Sequence, residues 1–303
     1  MTGDTAPLYL AGQTGSGKTA VALELADRIP GLEIINADAF QVYRGMEILS
    51  AAPTEEERRL VPHHLFGILD PGDDCDAATF AEQARAAIAE VRERGALPLV
   101  VGGSGLYLKA ITHGLAPTPK GDPALRAELD PLPLDELVER YRSLDPEGAG
   151  QTNLKNRRYV TRNLEICLLA GRPASEIKNQ WRETEPDIRA VYLRREREDI
   201  RDRIARRTEA MFDAGVIDEV ARLGPLSTTA EKAIGIREIR AHLADEIDLA
   251  ACREEIVRVT RRYAKRQASW FRREAAFLPI PVAPDDTPSA IAEAVEERFP
   301  ETG

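Results

Sequence analysis

No stretch of this chain approaches the roughly 20 consecutive apolar residues that a membrane-crossing helix needs, so no membrane association is expected. A basic leader is also missing: the N-terminus, MTGDTAPLYLAG, carries an acid and runs straight into a strand-like segment, which argues against a targeting peptide. Only three cysteines occur, Cys75, Cys167 and Cys252. They are odd in number, far apart and in no CxxC pair, as expected of reduced thiols in a cytoplasmic protein rather than a disulfide framework. The four histidines do not combine with them at metal-ligand spacing. A basic excess is missing too. The formal net charge is -10, which taken alone speaks against a nucleic-acid partner.

The distribution of charge says something different. Ala251–Ile280 holds eight basic residues against three acidic ones, Lys155–Arg162 holds four against none, and Arg194–Arg207 holds seven against four. Positive charge is thus gathered in the second half of an otherwise acidic chain, and that asymmetry is more informative than the total. With 303 residues, 43% of them hydrophobic and 30% charged, the chain can bury one large core or two modest ones.

Apolar periodicity predicts a strand at Leu8–Ala11, a helix over Thr19–Arg28, a strand at Glu33–Asn36, a helix over Ala77–Arg94 and a buried strand at Leu97–Val101. That alternation is the pattern of an α/β fold with a doubly wound parallel sheet. Leu115–Pro123 is rich in Pro and Gly and leads into a mainly helical stretch. A strand is expected at Ile188–Leu193, one long helix over Asp248–Phe277, a strand at Phe277–Val282 and a last helix near Ser289–Arg298. Trp181 reads as core or hinge packing. The organisation expected is therefore residues 1–114 as the first part of an α/β core, 115–185 as a mostly helical insertion, and 186–303 as the continuation of the core with a long basic helix.

Gly12-Gln13-Thr14-Gly15-Ser16-Gly17-Lys18-Thr19 fits the P-loop pattern G-x-x-x-x-G-K-[ST] without a mismatch, after a strand and before a helix. Glycines let successive backbone N–H groups converge on an anion, and the positive end of the following helix adds to the field. Lys18 offers a point charge to a terminal phosphate, and the Thr19 hydroxyl can hold Mg²⁺. The motif specifies a diphosphate or triphosphate ligand and is compatible with nucleotide binding, ATP included. Many such proteins carry an acid at the end of a second buried strand to hold the metal. Here Leu97–Val101 runs into Gly102-Gly103-Ser104-Gly105, with no acid, which weakens an ATPase or kinase reading. Asp38, just past the second strand, is the nearest carboxylate of that kind.

These residues and several others resemble the tRNA dimethylallyltransferase family. The resemblance rests on GQTGSGKT, INADAFQVYRG (Ile35–Gly45), VPHHL (Val61–Leu65) and LPLVVGGSGLYLKA (Leu97–Ala110). RYVTRNLEI (Arg158–Ile166), KAIGIRE (Lys232–Glu238) and TRRYAKRQASWFRR (Thr260–Arg273) extend it in the family's order. It implies an enzyme, expected to be a monomer, that moves a dimethylallyl group from dimethylallyl diphosphate to the N6 amine of the adenosine immediately 3′ of the tRNA anticodon. It implies Mg²⁺ as cofactor, Asp38 as general base, and Lys18, Thr19 and Arg237 as the grip on the diphosphate. It places Asp38, Ala39, Phe40, Gln41 and Ser104 beside the target base. Arg158, Tyr159, Val160, Thr161 and Arg162, with Lys265, Arg266, Gln267 and Arg272, are implied as further contacts to tRNA.

The chemistry suits the residue types. Negative charge builds on the departing diphosphate, where cations and loop amides stabilise it. The attacking amine must shed a proton, which a carboxylate can take. A base in a stacked loop must be extruded to be alkylated. Three positions depart from the family pattern: Ala39 where serine is usual, Tyr159 where arginine is usual, and Ile236 where tyrosine is usual. Each removes a polar group from a segment implied to face RNA. His63-His64 lacks an acid or cysteine partner in sequence and is expected to be structural. The competing readings are a P-loop nucleotide kinase, an isopentenyltransferase acting on free adenylate, and a nucleotide-switched RNA-binding protein.

Overall fold

The computed structural model describes residues 6–180 and 188–299; Trp181 lies outside them. The chain forms two compact units, one of residues 1–112 with 186–303 and one of residues 113–185.

The first unit is built on six strands: β1 (Leu8–Gly12), β2 (Leu32–Asn36), β3 (His63–His64), β4 (Leu97–Gly102), β5 (Arg189–Arg195) and β6 (Phe277–Val282). They pair in the order β3-β2-β4-β1-β5-β6, and every pairing is parallel. β1, β2 and β4 are almost uniformly buried, as strands covered on both faces must be. Alternate side chains supply the two faces. Leu8, Leu10, Ile34, Leu99, Val101, Val191 and Leu193 pack with the helices Lys18–Arg28 and Pro288–Glu296. On the other face Tyr192 stacks on Phe271 of the long helix Leu249–Phe271, with ring centroids 4.5 Å apart. The sheet is doubly wound, as the alternation of elements predicts.

The long helix ends at Phe271, six residues before the expected limit. Its last turn carries Trp270 and Phe271, which pack edge-on against each other and against Phe277. The chain turns between them so that Phe277 opens β6 parallel to β5. In β6 the two prolines, Pro279 and Pro281, are tolerated because it is an edge strand, paired on one side only.

β2 and β4 flank the first half of the sheet, and β1 lies between β4 and β5. The order of strand addition reverses at β1 and β4, so the connections after their carboxyl ends run to opposite sides of the sheet and leave a crevice, the usual place for a ligand in such a sheet. Three loops meet there: the P-loop after β1, Ala37–Gln41 after β2 and Gly103–Gly105 after β4.

The second unit is helical, with Pro123–Leu129, Leu134–Leu144, Pro146–Gln151, Arg157–Ala170 and Ala174–Asn179 around Leu137, Tyr141, Val160, Leu164 and Ile177. Buried Glu165 anchors it, accepting from Arg126, Arg162 and the Asp122 N–H. Burial pushes its pKa up, but those bonds outweigh burial and hold it below the ordinary value. Among the described residues, no helix is long and apolar enough to cross a membrane.

Candidate functional site

The P-loop takes its shape from two left-handed glycines, Gly15 at φ +82 and Gly17 at φ +94, the second lying directly before the helix Lys18–Arg28. Lys18 folds back so that its Nζ donates to Gly12 O at 2.9 Å and Gln13 O at 3.2 Å. Burial pulls its pKa down to about 8; Asp38 opposes that shift and Arg207 reinforces it.

The loop is braced from distant parts of the chain. Gln267 on the long helix accepts from Thr14 N–H at 2.9 Å and donates to Gly103 O at 2.7 Å. Arg195, at the end of β5, donates to Ser16 O at 2.9 Å and pairs with Asp199. Arg203 and Arg207, one turn apart on the helix Arg197–Asp213, donate to Gly15 O at 2.6 Å and to the Thr14 hydroxyl at 2.8 Å. Three arginines and a glutamine thus bond polar groups of the P-loop itself.

Asp38 sits after β2 in an Asx turn: its Oδ1 accepts from Phe40 N–H at 3.0 Å, while its own N–H donates to Asn36 Oδ1 at 2.7 Å. The turn fixes the carboxylate at the crevice. Gln41 donates to Ser50 O and Ala51 O, which folds the following segment over the same crevice. Ser104 is buried; its hydroxyl accepts from Ala39 N–H at 3.4 Å and lies 3.4 Å from the Tyr263 hydroxyl. Burial, with Asp38 adding to it, raises the Tyr263 pKa to about 12, so this phenol stays protonated as a hydrogen-bond donor.

The run Gly102-Gly103-Ser104-Gly105 has a steric explanation. A Cβ at Gly102 would lie 2.2 Å from Ala37 O, one at Gly103 2.5 Å from Gly12 O, and one at Gly105 2.4 Å from the Trp270 ring. The acid absent from this position has no room there. The loop is instead the surface against which the P-loop, the Asp38 segment and the long helix close.

Together these elements enclose a cavity of about 500 Å³. Thr14, Lys18, Thr19, Asp38, Arg203 and Arg207 supply its polar wall, and Phe40, Leu49, Ile204, Met211, Ile234 and Ile256 an apolar one. Among the described residues, no cluster of three His, Cys, Asp or Glu side chains stands ready to ligate a metal.

The structure brings Lys18, Thr19, Asp38, Phe40, Gln41 and Gln267 to one cavity, but it corrects several expectations. Arg237 does not reach the cradle: its side chain is 83% exposed and lies 3.7 Å from Glu238. The arginine over the P-loop is Arg207. Gln267 is buried between two loops, and its amide bonds the protein's own backbone there. Val160 is fully buried in the helical unit because it faces that unit's core. Arg162 is committed to Glu165, Pro119 O and Thr118 Oγ1. Arg158 and Tyr159, on the outer side of the same helix, are exposed, and Thr161 is half-buried. Lys265, Arg266 and Arg272 are exposed on the first unit. Ser104, implied to stand beside the target base, is not among the residues that border the cavity. His64 Nε2 meets Glu33 Oε2 at 2.6 Å and His63 Nδ1 meets Val61 O at 2.8 Å, roles internal to the fold, although His63 also borders the cavity. Arg203, Arg207 and Tyr263 escape the sequence reading. The one available sign was the i, i+4 pair of arginines in a basic window, which by itself describes a solvated helix face equally well.

Residues 41–274 match the IPP transferase family. A tRNA dimethylallyltransferase of Akkermansia muciniphila is 43% identical over 96% of this chain and 99% of its own length. One from Geobacter metallireducens is 42% identical over 89% of this chain and 91% of its own. The crystal structure of a tRNA isopentenylpyrophosphate transferase from Bacillus halodurans aligns over 98% of both chains, with 32% identity and a TM-score of 0.69. A eukaryotic dimethylallyltransferase acting on tRNA aligns over 92% of this chain and 74% of that one, with 25% identity and a TM-score of 0.75.

Proposed function

The chain belongs to the IPP transferase family, and from that premise we propose that the cavity over its P-loop is where dimethylallyl diphosphate yields its prenyl group to an adenine of tRNA. Its activity is dimethylallyl transfer to tRNA. The observation that carries the site assignment is that Lys18 of the P-loop and Asp38 border the same cavity, so a cation for the leaving group and a base for the nucleophile face one space.

The diphosphate lies on the P-loop amides with Lys18 beside it. The C5 tail lies along Phe40, Leu49, Met211 and Ile256, an apolar wall that shelters an allylic cation-like carbon from water. The N6 amine of the adenosine next to the anticodon attacks that carbon. The C–O bond breaks with its electron pair leaving on the diphosphate, and Asp38 takes the proton the amine must lose. Because Oδ1 of Asp38 is held by Phe40 N–H, the carboxylate is oriented before the base arrives. Thr19, directly after Lys18, is the residue to hold Mg²⁺. A hydroxyl with phosphate oxygens and water is a donor set this ion accepts, and the ion supplies charge neutralisation on the leaving group. The exposed cations Arg158, Lys265, Arg266 and Arg272 are left for RNA phosphates.

The test is a reaction of protein, Mg²⁺, dimethylallyl diphosphate and unmodified tRNA in nucleotide-free buffer, followed by digestion and detection of prenylated adenosine. Product is expected without ATP. Product only on addition of ATP, or ATP consumed in step with it, would overturn the assignment of the P-loop.

A further inference from the structure

Tyr263 is a polar group of the cavity that the proposed reaction leaves without a role. It stands on the long helix and borders the cavity together with Asp38. The Arg266 guanidinium lies over its ring, 5.5 Å from the centroid, and steadies the ring's position. The amides nearby are committed elsewhere: Gln41 donates to Ser50 O and Ala51 O, and Gln267 to Gly103 O.

Hydrogen bonding around the phenol leaves its proton free. Gln267 Oε1 accepts from Thr14 N–H, so the amide is oriented and its Nε2 donates, to Gly103 O at 2.7 Å and to the Tyr263 oxygen. Ser104 Oγ accepts from Ala39 N–H and lies 3.4 Å from the same phenol oxygen, so its own proton is available to Tyr263. A phenol oxygen that accepts from two donors still has its O–H to give. Burial and the charge of Asp38 keep that proton on the oxygen. The cavity thus presents a fixed donor and a fixed acceptor, close enough for each to feel the other.

The base edge that carries N6 has the matching pattern, a donor amine beside the acceptor N1. That edge also poses a chemical problem. The N1 lone pair lies in the ring plane and is free, whereas the N6 lone pair is delocalised into the ring. Toward an allylic carbon N1 is the stronger intrinsic nucleophile. Attack from N1 would form an N1–C bond, expel diphosphate and leave a cationic base.

We propose that Tyr263 determines which nitrogen reacts: its O–H donates to N1 and occupies that lone pair, while Asp38 receives the proton lost from N6. The inference rests on the reading of the cavity as the site of prenyl transfer to adenine. The phenol gives up no proton in the reaction; it holds one position of the base closed while the neighbouring one is alkylated.

The experiment compares the full-length protein with Tyr263→Phe, which keeps the ring and removes the hydroxyl, using Mg²⁺, dimethylallyl diphosphate and unmodified tRNA. Digests are resolved by chromatography and mass spectrometry into N6- and N1-prenyladenosine, and alkali, which converts the N1 product to the N6 product, confirms the assignment. The ratio of N6 to N1 product should fall about 10-fold in Tyr263→Phe, the discrimination that one hydrogen bond supplies. Turnover should fall as well, with KM for the donor unchanged. A second substrate, an anticodon stem-loop carrying 1-deazaadenosine at the target, removes N1 itself. It should slow the parent protein and add no further loss in Tyr263→Phe, because the same bond is missing in both. Losses that add, or parent turnover and parent products from Tyr263→Phe, overturn the proposal and leave prenyl transfer at this site intact. A parent protein that yields no prenylated adenosine from unmodified tRNA would instead overturn the underlying reading.

Discussion

Lys18 and Asp38 carry opposite charges into one cavity, and each serves the reaction in its own way. Burial lowers the Lys18 pKa from 10.5 to about 8, so the ammonium is present below that pH and lost as pH rises through it. In the free enzyme, kcat/KM for dimethylallyl diphosphate should therefore decline above about pH 8, and Lys18→Arg should move that limb upward, as read from a pH–rate profile. Asp38→Asn removes the proton acceptor but keeps the side chain's size. Turnover should fall about 10²- to 10⁴-fold with tRNA affinity nearly unchanged; near-normal turnover would take Asp38 out of the chemistry. Both residues were legible in the sequence because their meaning is local: a glycine pattern with its lysine, and an acid two residues beyond a buried strand. Gln267 and Arg207 were not, because their partner is Thr14, 253 and 193 positions away. Nothing in the surrounding residues tells a glutamine that braces a loop from one that meets RNA.

Among the elements, the Gly102–Gly105 loop and the long helix are best understood as a pair. Gly103 and Gly105 let the loop approach Gly12 and Trp270 more closely than any Cβ allows. Gly105→Ala should destabilise the protein by about 1–3 kcal/mol through overpacking against an indole that cannot yield easily. Gly103→Ala should in addition disturb the Gln267 bridge and reduce donor capture. Thermal unfolding and the donor KM read the two effects separately, and a wild-type melting temperature for Gly105→Ala would contradict the packing account. The sequence shows these glycines plainly, yet reads them only as a missing acid; their steric reason appears once the helix is seen lying on the loop. The five longer strands followed from apolar spacing, whereas β3, only the two histidines His63 and His64, did not. The end of the long helix did not, because Phe271 and Phe277 are equally apolar and only the pairing of β6 with β5 decides where the chain turns.

For the molecule as a whole, charge is sorted rather than balanced: the chain totals -10, yet Arg258, Arg261, Arg262, Lys265, Arg266, Arg272 and Arg273 lie exposed on one helix and the turn after it. Replacing Arg261, Lys265 and Arg272 with alanine should weaken tRNA binding and flatten its dependence on salt. The slope of log affinity against log salt should drop by about 0.7 per lost phosphate contact to single-stranded RNA. An unchanged slope would place the RNA elsewhere. The distribution of charge was visible in the sequence; which arginines are outward, and which, like Arg195, lie buried under the P-loop, was not. The sheet order has a further consequence for how the protein comes into being. β1 pairs with β5 as well as β4, and the loop after β1 is tied to Arg195, Arg203, Arg207 and Gln267. A nascent chain displaying the complete P-loop signature therefore lacks the full brace of its cradle until Gln267 has left the ribosome. At about 5–20 residues per second, the N-terminal segment waits many seconds with its β1 edge unpaired on one side. Over that interval no diphosphate can steady it, and protection has to come from chaperones or from the speed of translation itself.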